Sequence, residues 1–156
     1  MGTLYMIRHG QASFGKSNYD KLSEKGECQA ESLAQYLDES GIVFDVIYIG
    51  PQVRHKQTAQ PFVNLLQKKG RLPLPKEHSG LAEYDFESIS KVLLPIIATE
   101  DESFKADLSH MFSNKEAFNR VFETVSKRWI KGNKPIPGLP TFQEFKKRVN
   151  AAIEDI

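Results

Sequence analysis

Apolar positions along the chain fall into blocks of two kinds. Thr3 to Ile7 is a short continuous apolar run with β-branched and aromatic members, which predicts a buried strand. A loop containing Gly10, Gly15 and Asn18 follows. Ser23 then stands where an N-cap belongs. Behind it Ala30, Leu33, Ala34 and Leu37 recur at helical spacing, which predicts a helix from Glu24 to about Glu39 with Gly41 just past its end. Asp45 to Ile49 predicts a second strand, closed by Gly50 and Pro51. A second helix begins near Gln52, with Ala59, Phe62, Val63 and Leu66 on one face. Pro61 inside it should kink it or remove a hydrogen bond. Gly70 to Pro75 reads as a basic, proline-containing loop.

After Ser79 the pattern turns helical. Ile89 to Ile97 is one candidate helix. Lys115 to Ile130 is another, with Phe118, Val121, Phe122, Val125 and Trp129 on one stripe. Lys131 to Pro140 is a loop rich in proline and glycine. Thr141 with Glu144 forms a capping-box pattern ahead of a helix carrying Phe142, Phe145, Val149 and Ile153. Strand, helix, strand, helix with short links predicts a largely parallel sheet covered by helices on both sides, hence an α/β protein. No internal repeat or low-complexity segment interrupts it.

Length and composition narrow the class. At 156 residues the chain is expected to be a single domain, 1–156, with a real core. A net charge of +1, with Lys and Arg spread along the chain, gives no field for nucleic acid or a membrane surface. An anionic ligand would have to be held by a few local groups. The lone cysteine, Cys28, excludes an internal disulfide and a paired-cysteine metal site, and it suits a reducing compartment; its place on the first helix suggests packing. The start of the chain lacks a signal pattern and no apolar stretch would span a bilayer, so a cytoplasmic location is expected.

The first strand ends in "RHG", Arg8, His9 and Gly10, and the second is followed by Arg54. In open parallel sheets, ligands bind beyond the carboxyl ends of the strands. Two guanidinium groups meeting there would suit a phosphate, because each can form a bidentate charge-assisted pair. A neutral imidazole between them could attack phosphorus. Gly10 would let the backbone approach the anion and offer it an N–H. An ordinary turn explains a bare tripeptide equally well, so the surrounding residues carry the weight.

"RHGQAS", "YDKLSEKGECQAESLAQYL", "VIYIGPQVRHKQTAQPF" and "LAEYDF", in that order and at that spacing, resemble the histidine phosphatase superfamily, also called the phosphoglycerate mutase-like family. The resemblance covers roughly the first half of the chain, and "TFQEFKKRVNAAI" is similar to a later family helix. It implies a three-layer α/β/α fold with a mostly parallel central sheet and a helical cap inserted after the third strand, here over 88–135. It implies that His9 becomes phosphohistidine, that Arg8 and Arg54 hold the phosphoryl oxygens, and that Glu83 protonates the leaving oxygen and later helps activate water. Asp85 and Glu87 lie close enough in sequence to compete for that last role. Gly10, Gln11, Ser13 and Gly15 would line the phosphate pocket, Ser13 as the best hydrogen-bonding candidate. The chemistry implied uses no metal and no cofactor.

His55 follows Arg54 on a helix and is expected to point elsewhere, in a surface role. His78 and His110 match no motif and are expected to be solvated or capping. The four histidines show no metal-ligand spacing. The family's second histidine, in an S-H-G-G-like stretch on a later strand, has no counterpart here, which implies a C-terminally shortened form. Such a form would be poorly stable alone, or would rebuild its sheet by pairing the first two strands directly or by association through the exposed edge as a homo-oligomer. The implied activity is that of a phosphomonoesterase on a phosphorylated small molecule. The alternatives are a mutase-type phosphotransferase, or a weak or dead domain that binds a phosphate or a partner.

Overall fold

The computed structural model describes residues 2–13, 20–71, 74–132 and 136–156. Its elements, in chain order, are α1 (Glu24–Glu39), β1 (Tyr48–Ile49), α2 (Val53–Lys68), β2 (Lys76–Glu77), a 3₁₀ turn (Ser79–Leu81), α3 (Phe86–Glu100), α4 (Glu102–His110), α5 (Lys115–Lys131) and α6 (Phe142–Asp155). They fall into two compact units, Met1–Glu83 and Tyr84–Asp155, with Ile156 grouped with the first.

In the first unit, α1 begins where its cap predicts. The Ser23 hydroxyl accepts from Gly26 N, and the helix ends before Gly41, which takes the positive φ of 65° that only glycine adopts without strain. Ala30, Ala34 and Leu37 are buried, and Ala34 and Leu37 meet Phe62 and Leu66 of α2 in one apolar cluster. Pro61 lies inside an uninterrupted α2. The hydrogen bond it removes is outweighed by the burial of its neighbours Phe62, Val63 and Leu66.

The sheet is smaller than expected. It consists of β1 and β2, parallel, with Tyr48 opposite Lys76 and Ile49 opposite Glu77. The expected strand at Asp45 to Ile49 is thus reduced to its last two residues. No strand is assigned over Thr3 to Ile7. Leu4 and Met6 are 61% and 82% exposed, and Tyr5 makes an edge contact with Phe44 at 5.4 Å. An apolar run supplies strand propensity, but a ladder also needs a partner, and none of the described residues pairs with this run. The expected direct pairing of the first two candidate strands is likewise not seen.

The described residues of the second unit form four helices, α3 to α6, with loops between them. Ile89, Leu93 and Ile97 of α3, Phe104 of α4, and Val121, Val125 and Trp129 of α5 form one buried cluster. Each of the three helices has a side-chain cap. Asp85 accepts from Ser88 N, Asp101 from Ser103 N and Phe104 N, and Asn114 from Glu116 N and Ala117 N. The Trp129 ring stacks on Tyr84 at 5.0 Å and meets Phe142 edge-on at 5.3 Å. Its N–H donates to the Pro140 carbonyl at 3.1 Å. The capping box opening α6 is formed as expected. The Thr141 N–H donates to Glu144 Oε2 at 2.7 Å, and Glu144 N–H donates back to Thr141 Oγ1 at 3.2 Å.

Candidate active site

The segment carrying His9 is pinned to the two helices of the first unit by its backbone. Ala12 bridges Leu22 in antiparallel fashion, Ser13 N–H donates to the Lys21 carbonyl, and Ser23 N–H donates to the Gln11 carbonyl, each at 2.8 Å. Gly10 and Gly26 meet face to face. A methyl group built on Gly10 would lie 2.5 Å from the Gly26 carbonyl oxygen, and one on Gly26 would lie 2.2 Å from the Gln11 oxygen. Gly10 is therefore needed for close packing on the first turn of α1. Its N–H, expected to serve an anion, donates to Thr58 Oγ1 at 3.1 Å.

Thr58 and Gln57 are the clamps on the α2 side. Thr58 is buried and also donates to the Arg54 carbonyl at 2.7 Å, while Gln57 accepts from Leu22 N at 2.9 Å. Arg54, Gln57 and Thr58 share one helix face by their i, i+3, i+4 spacing, so one side of α2 holds both the loop and the guanidinium.

Arg54 is 5% exposed, and its charge is matched by two carboxylates. Asp20 accepts from Nη1 at 2.6 Å, and Glu83 accepts from Nη2. Asp20 also accepts from Val53 N at 3.0 Å, which caps α2 where its own N-cap residue, Gln52, makes no side-chain bond. A carboxylate there complements the positive end of the helix. Of the three acids near the "LAE" motif, Glu83 is the one on Arg54. Asp85 caps α3, and Glu87 pairs with Lys91 at 2.7 Å.

His9 is half-buried, and its Nδ1 lies 2.6 Å from the Gly10 carbonyl oxygen. A carbonyl only accepts, so this bond requires the proton on Nδ1 and leaves the lone pair on Nε2. His55 does not point elsewhere, as the sequence suggested. Its ring lies 5.7 Å from that of His9, inclined by 30°. Burial holds the His55 imidazole below its ordinary pKa; Arg54 and His9 add to the effect, and Glu83 and Asp20 oppose it.

The structure thus brings His9, Arg54 and Glu83 into one cluster and adds His55 and Asp20. Arg8 is exposed, and no hydrogen bond or ion pair ties its guanidinium to the cluster among the described residues. Ser13 is buried with its hydroxyl donated to the Leu22 carbonyl at 2.9 Å, so it braces the loop. Gln11 is exposed, its side-chain oxygen accepting from Ser23 Oγ at 3.2 Å. Gly15 lies outside the described residues. His78 caps the 3₁₀ turn through Gly80 N, and His110 is exposed. Cys28 is exposed on α1 rather than packed, because it falls on the face opposite Ala30, Ala34 and Leu37. No group of three or more His, Cys, Asp or Glu among the described residues is arranged to hold a metal ion. No described helix is long and apolar enough to cross a membrane.

The family model for the histidine phosphatase superfamily (branch 1) matches residues 4–131, and the chain belongs to that superfamily. Two similar proteins are 2,3-bisphosphoglycerate-dependent phosphoglycerate mutases. That of Bartonella tribocorum is 33% identical over 78 residues, 46% of this chain and 36% of the mutase. That of Bartonella henselae is 32% identical over 72 residues, 42% of this chain and 35% of the mutase. An uncharacterised Picosynechococcus protein is 32% identical over 83 residues, 51% of this chain and 48% of its own length. The matches therefore take in between about a third and a half of these relatives.

Proposed function

We propose that the chain is a metal-independent phosphomonoesterase working through a phosphohistidine on His9, with a phosphorylated small molecule as substrate. The observation that supports this reading is the bond from His9 Nδ1 to the Gly10 carbonyl, which in the neutral imidazole leaves Nε2 to act as the nucleophile. Nε2 attacks phosphorus, forming the N–P bond as the P–O bond to the leaving group breaks. Arg54, joined by the open cation Arg8, takes the charge on the phosphoryl oxygens. An entering phosphoryl dianion competes with Glu83 for the Arg54 fork. Glu83, released from the fork, carries the proton that the general-acid step requires. Glu83 then gives this proton to the leaving oxygen. In the second step it takes a proton from water as the water oxygen attacks phosphorus, and inorganic phosphate leaves with His9 restored.

The finer architecture belongs to the same reading. The parallel β1–β2 pair is taken as part of a three-layer α/β/α arrangement, and residues 88–135 as the helical insertion that tunes substrate choice. The exposed, unbonded Cys28 agrees with a cytoplasmic setting.

The test is phosphate release from p-nitrophenyl phosphate at mildly acidic pH with EDTA present, together with acid quenching to trap labelled phosphoenzyme. Release and label are expected in the natural chain, and neither in His9→Ala. Activity surviving in His9→Ala would reject the reading. A second reading, a mutase-type phosphotransferase, is favoured by the names of the two Bartonella relatives. Incubation with 3-phosphoglycerate decides between them: free phosphate alone supports the esterase, and interconverted phosphoglycerates support the mutase. No reaction with either substrate would favour a domain that binds phosphate groups without turning them over.

A further inference from the structure

The His55 ring stacks on His9 at 5.7 Å. It also lies against Gly50, where an added Cβ would fall 2.1 Å from His55 Nδ1 and 2.7 Å from Cε1. Any side chain at 50 would push the ring out of its place, so Gly50 makes the seat in which it rests. The ring is carried on the first turn of α2, one residue after Arg54 and about 100° around the helix from it. Arg54 thus reaches the carboxylates while His55 reaches the nucleophile, both from one rigid turn.

We propose that His55 is the positioning residue for His9, its seated ring fixing the plane in which the His9 imidazole presents Nε2. The inference rests on the reading of His9 as the nucleophile. One hydrogen bond at Nδ1 leaves the His9 ring free to swing about that contact, and a flat neighbour removes this freedom. Attack on phosphorus needs the lone pair aligned with the P–O bond, so loss of the plane lowers the rate even where substrate still binds. The charged and titratable groups that His55 feels are Arg54, His9, Glu83 and Asp20. Arg54 and His9 favour a neutral His55, against the pull of Glu83 and Asp20, and a neutral ring can lie against His9 without repulsion.

The test uses the full chain and three variants, His55→Ala, His55→Phe and His55→Gln. The first removes the ring; the second keeps a flat ring in the seat but cannot titrate or donate a hydrogen bond. The first readout is nitrogen-15 NMR of the His9 side chain, assigned with His9→Ala. A single Nδ1–H tautomer is expected in the natural chain and in His55→Phe, and a mixture of tautomers in His55→Ala. The second is the single-turnover rate of phosphoenzyme formation. A loss of roughly 10- to 100-fold in His55→Ala with KM little changed, restored by Phe, is expected for a misaligned nucleophile. An unchanged His9 spectrum and rate in a folded His55→Ala would overturn the proposal. So would rescue by His55→Gln and not by Phe, since a hydrogen bond rather than a plane would then be the contribution. The NMR readout needs no turnover, so it stands or falls separately from the phosphatase reading itself.

Discussion

The two compact units bury different things. In the first, Ser13, Arg54 and Thr58 are buried beside a modest apolar cluster from α1 and α2. In the second, the buried cluster is wholly apolar and is ringed by Tyr84, Phe86, Phe142 and Phe145. All three buried polar or charged side chains among the described residues lie in the first unit. Each has a structural partner: the Leu22 carbonyl for Ser13, Asp20 and Glu83 for Arg54, and the Gly10 amide and Arg54 carbonyl for Thr58. Burying polarity gains less stability than burying carbon, and it is tolerated where partners satisfy it. The helical unit is built around apolar packing, whereas the first unit is built around a buried guanidinium and the carboxylates that match it.

The largest expected effect strikes the packed unit. Trp129→Ala removes a ring that stacks on Tyr84, meets Phe142 and donates to the Pro140 carbonyl. A loss of about 3–5 kcal/mol is expected from truncating a buried aromatic of this size. Urea unfolding measures it. The His9 tautomer seen by NMR is expected to survive wherever the chain stays folded. A loss under about 1 kcal/mol would mean the cluster is looser than its ring geometry indicates.

The first unit is broken more selectively by Arg54→Met. Two carboxylates lose their shared cation, but both are about 40% exposed and can turn to water. About 1–3 kcal/mol is therefore expected, below the range for a fully buried pair. The rate is expected to fall on the order of 10²- to 10³-fold, the cost of removing one group that stabilises developing charge. Hydrogen exchange is expected to quicken in α1 and α2 before α5. Equal quickening in all three would erase the contrast between the units.

The same contrast sorts what the sequence made legible. α1, α5 and the opening of α6 could be read because their signals are local. Ser23, the Thr141–Glu144 pair and apolar residues at helical spacing act within a few residues of one another. β2 could not, since Lys76 and Glu77 are exposed and gain strand geometry only from β1. Thr3 to Ile7 misled for the opposite reason: it has the composition of a strand without a described partner. Within the site, His9, Arg54 and Glu83 were visible through ordered motifs. Asp20 and His55 were not, because their roles come from contacts 34 and 46 residues away in sequence (54 minus 20; 55 minus 9). Thr58 and Gln57 left one usable trace, their i+3 and i+4 spacing from Arg54.

A smaller effect separates caps from clusters. The Asn114 side chain accepts from Glu116 N and Ala117 N at the start of α5. Asn114→Ala is expected to cost about 1 kcal/mol, the usual value for losing an N-cap, and to leave the proposed phosphatase activity unchanged. Thermal melts and p-nitrophenyl phosphate assays check both halves. Altered activity at unchanged stability would mean that the helical unit acts on the chemistry itself.

The smallest effect is a dependence on pH in the first unit. Burial, then Arg54 and His9, hold the folded His55 below its ordinary value of 6.5, against the pull of Glu83 and Asp20. Between the lowered value and 6.5 the unfolded chain binds more protons at this residue than the folded one. Stability from this source is thus fully present above 6.5 and is lost as pH falls below it. His55→Phe keeps a ring in the Gly50 seat and cannot titrate. The melting temperature of the natural chain is therefore expected to fall further between pH 7.5 and 5.5 than that of the variant, by an increment small beside the loss from Arg54→Met. The carboxylates are common to both chains and largely cancel in the difference. Parallel curves would mean that His55 takes its proton as readily in the folded site as in water, and the two stacked imidazoles would then not be held apart in charge.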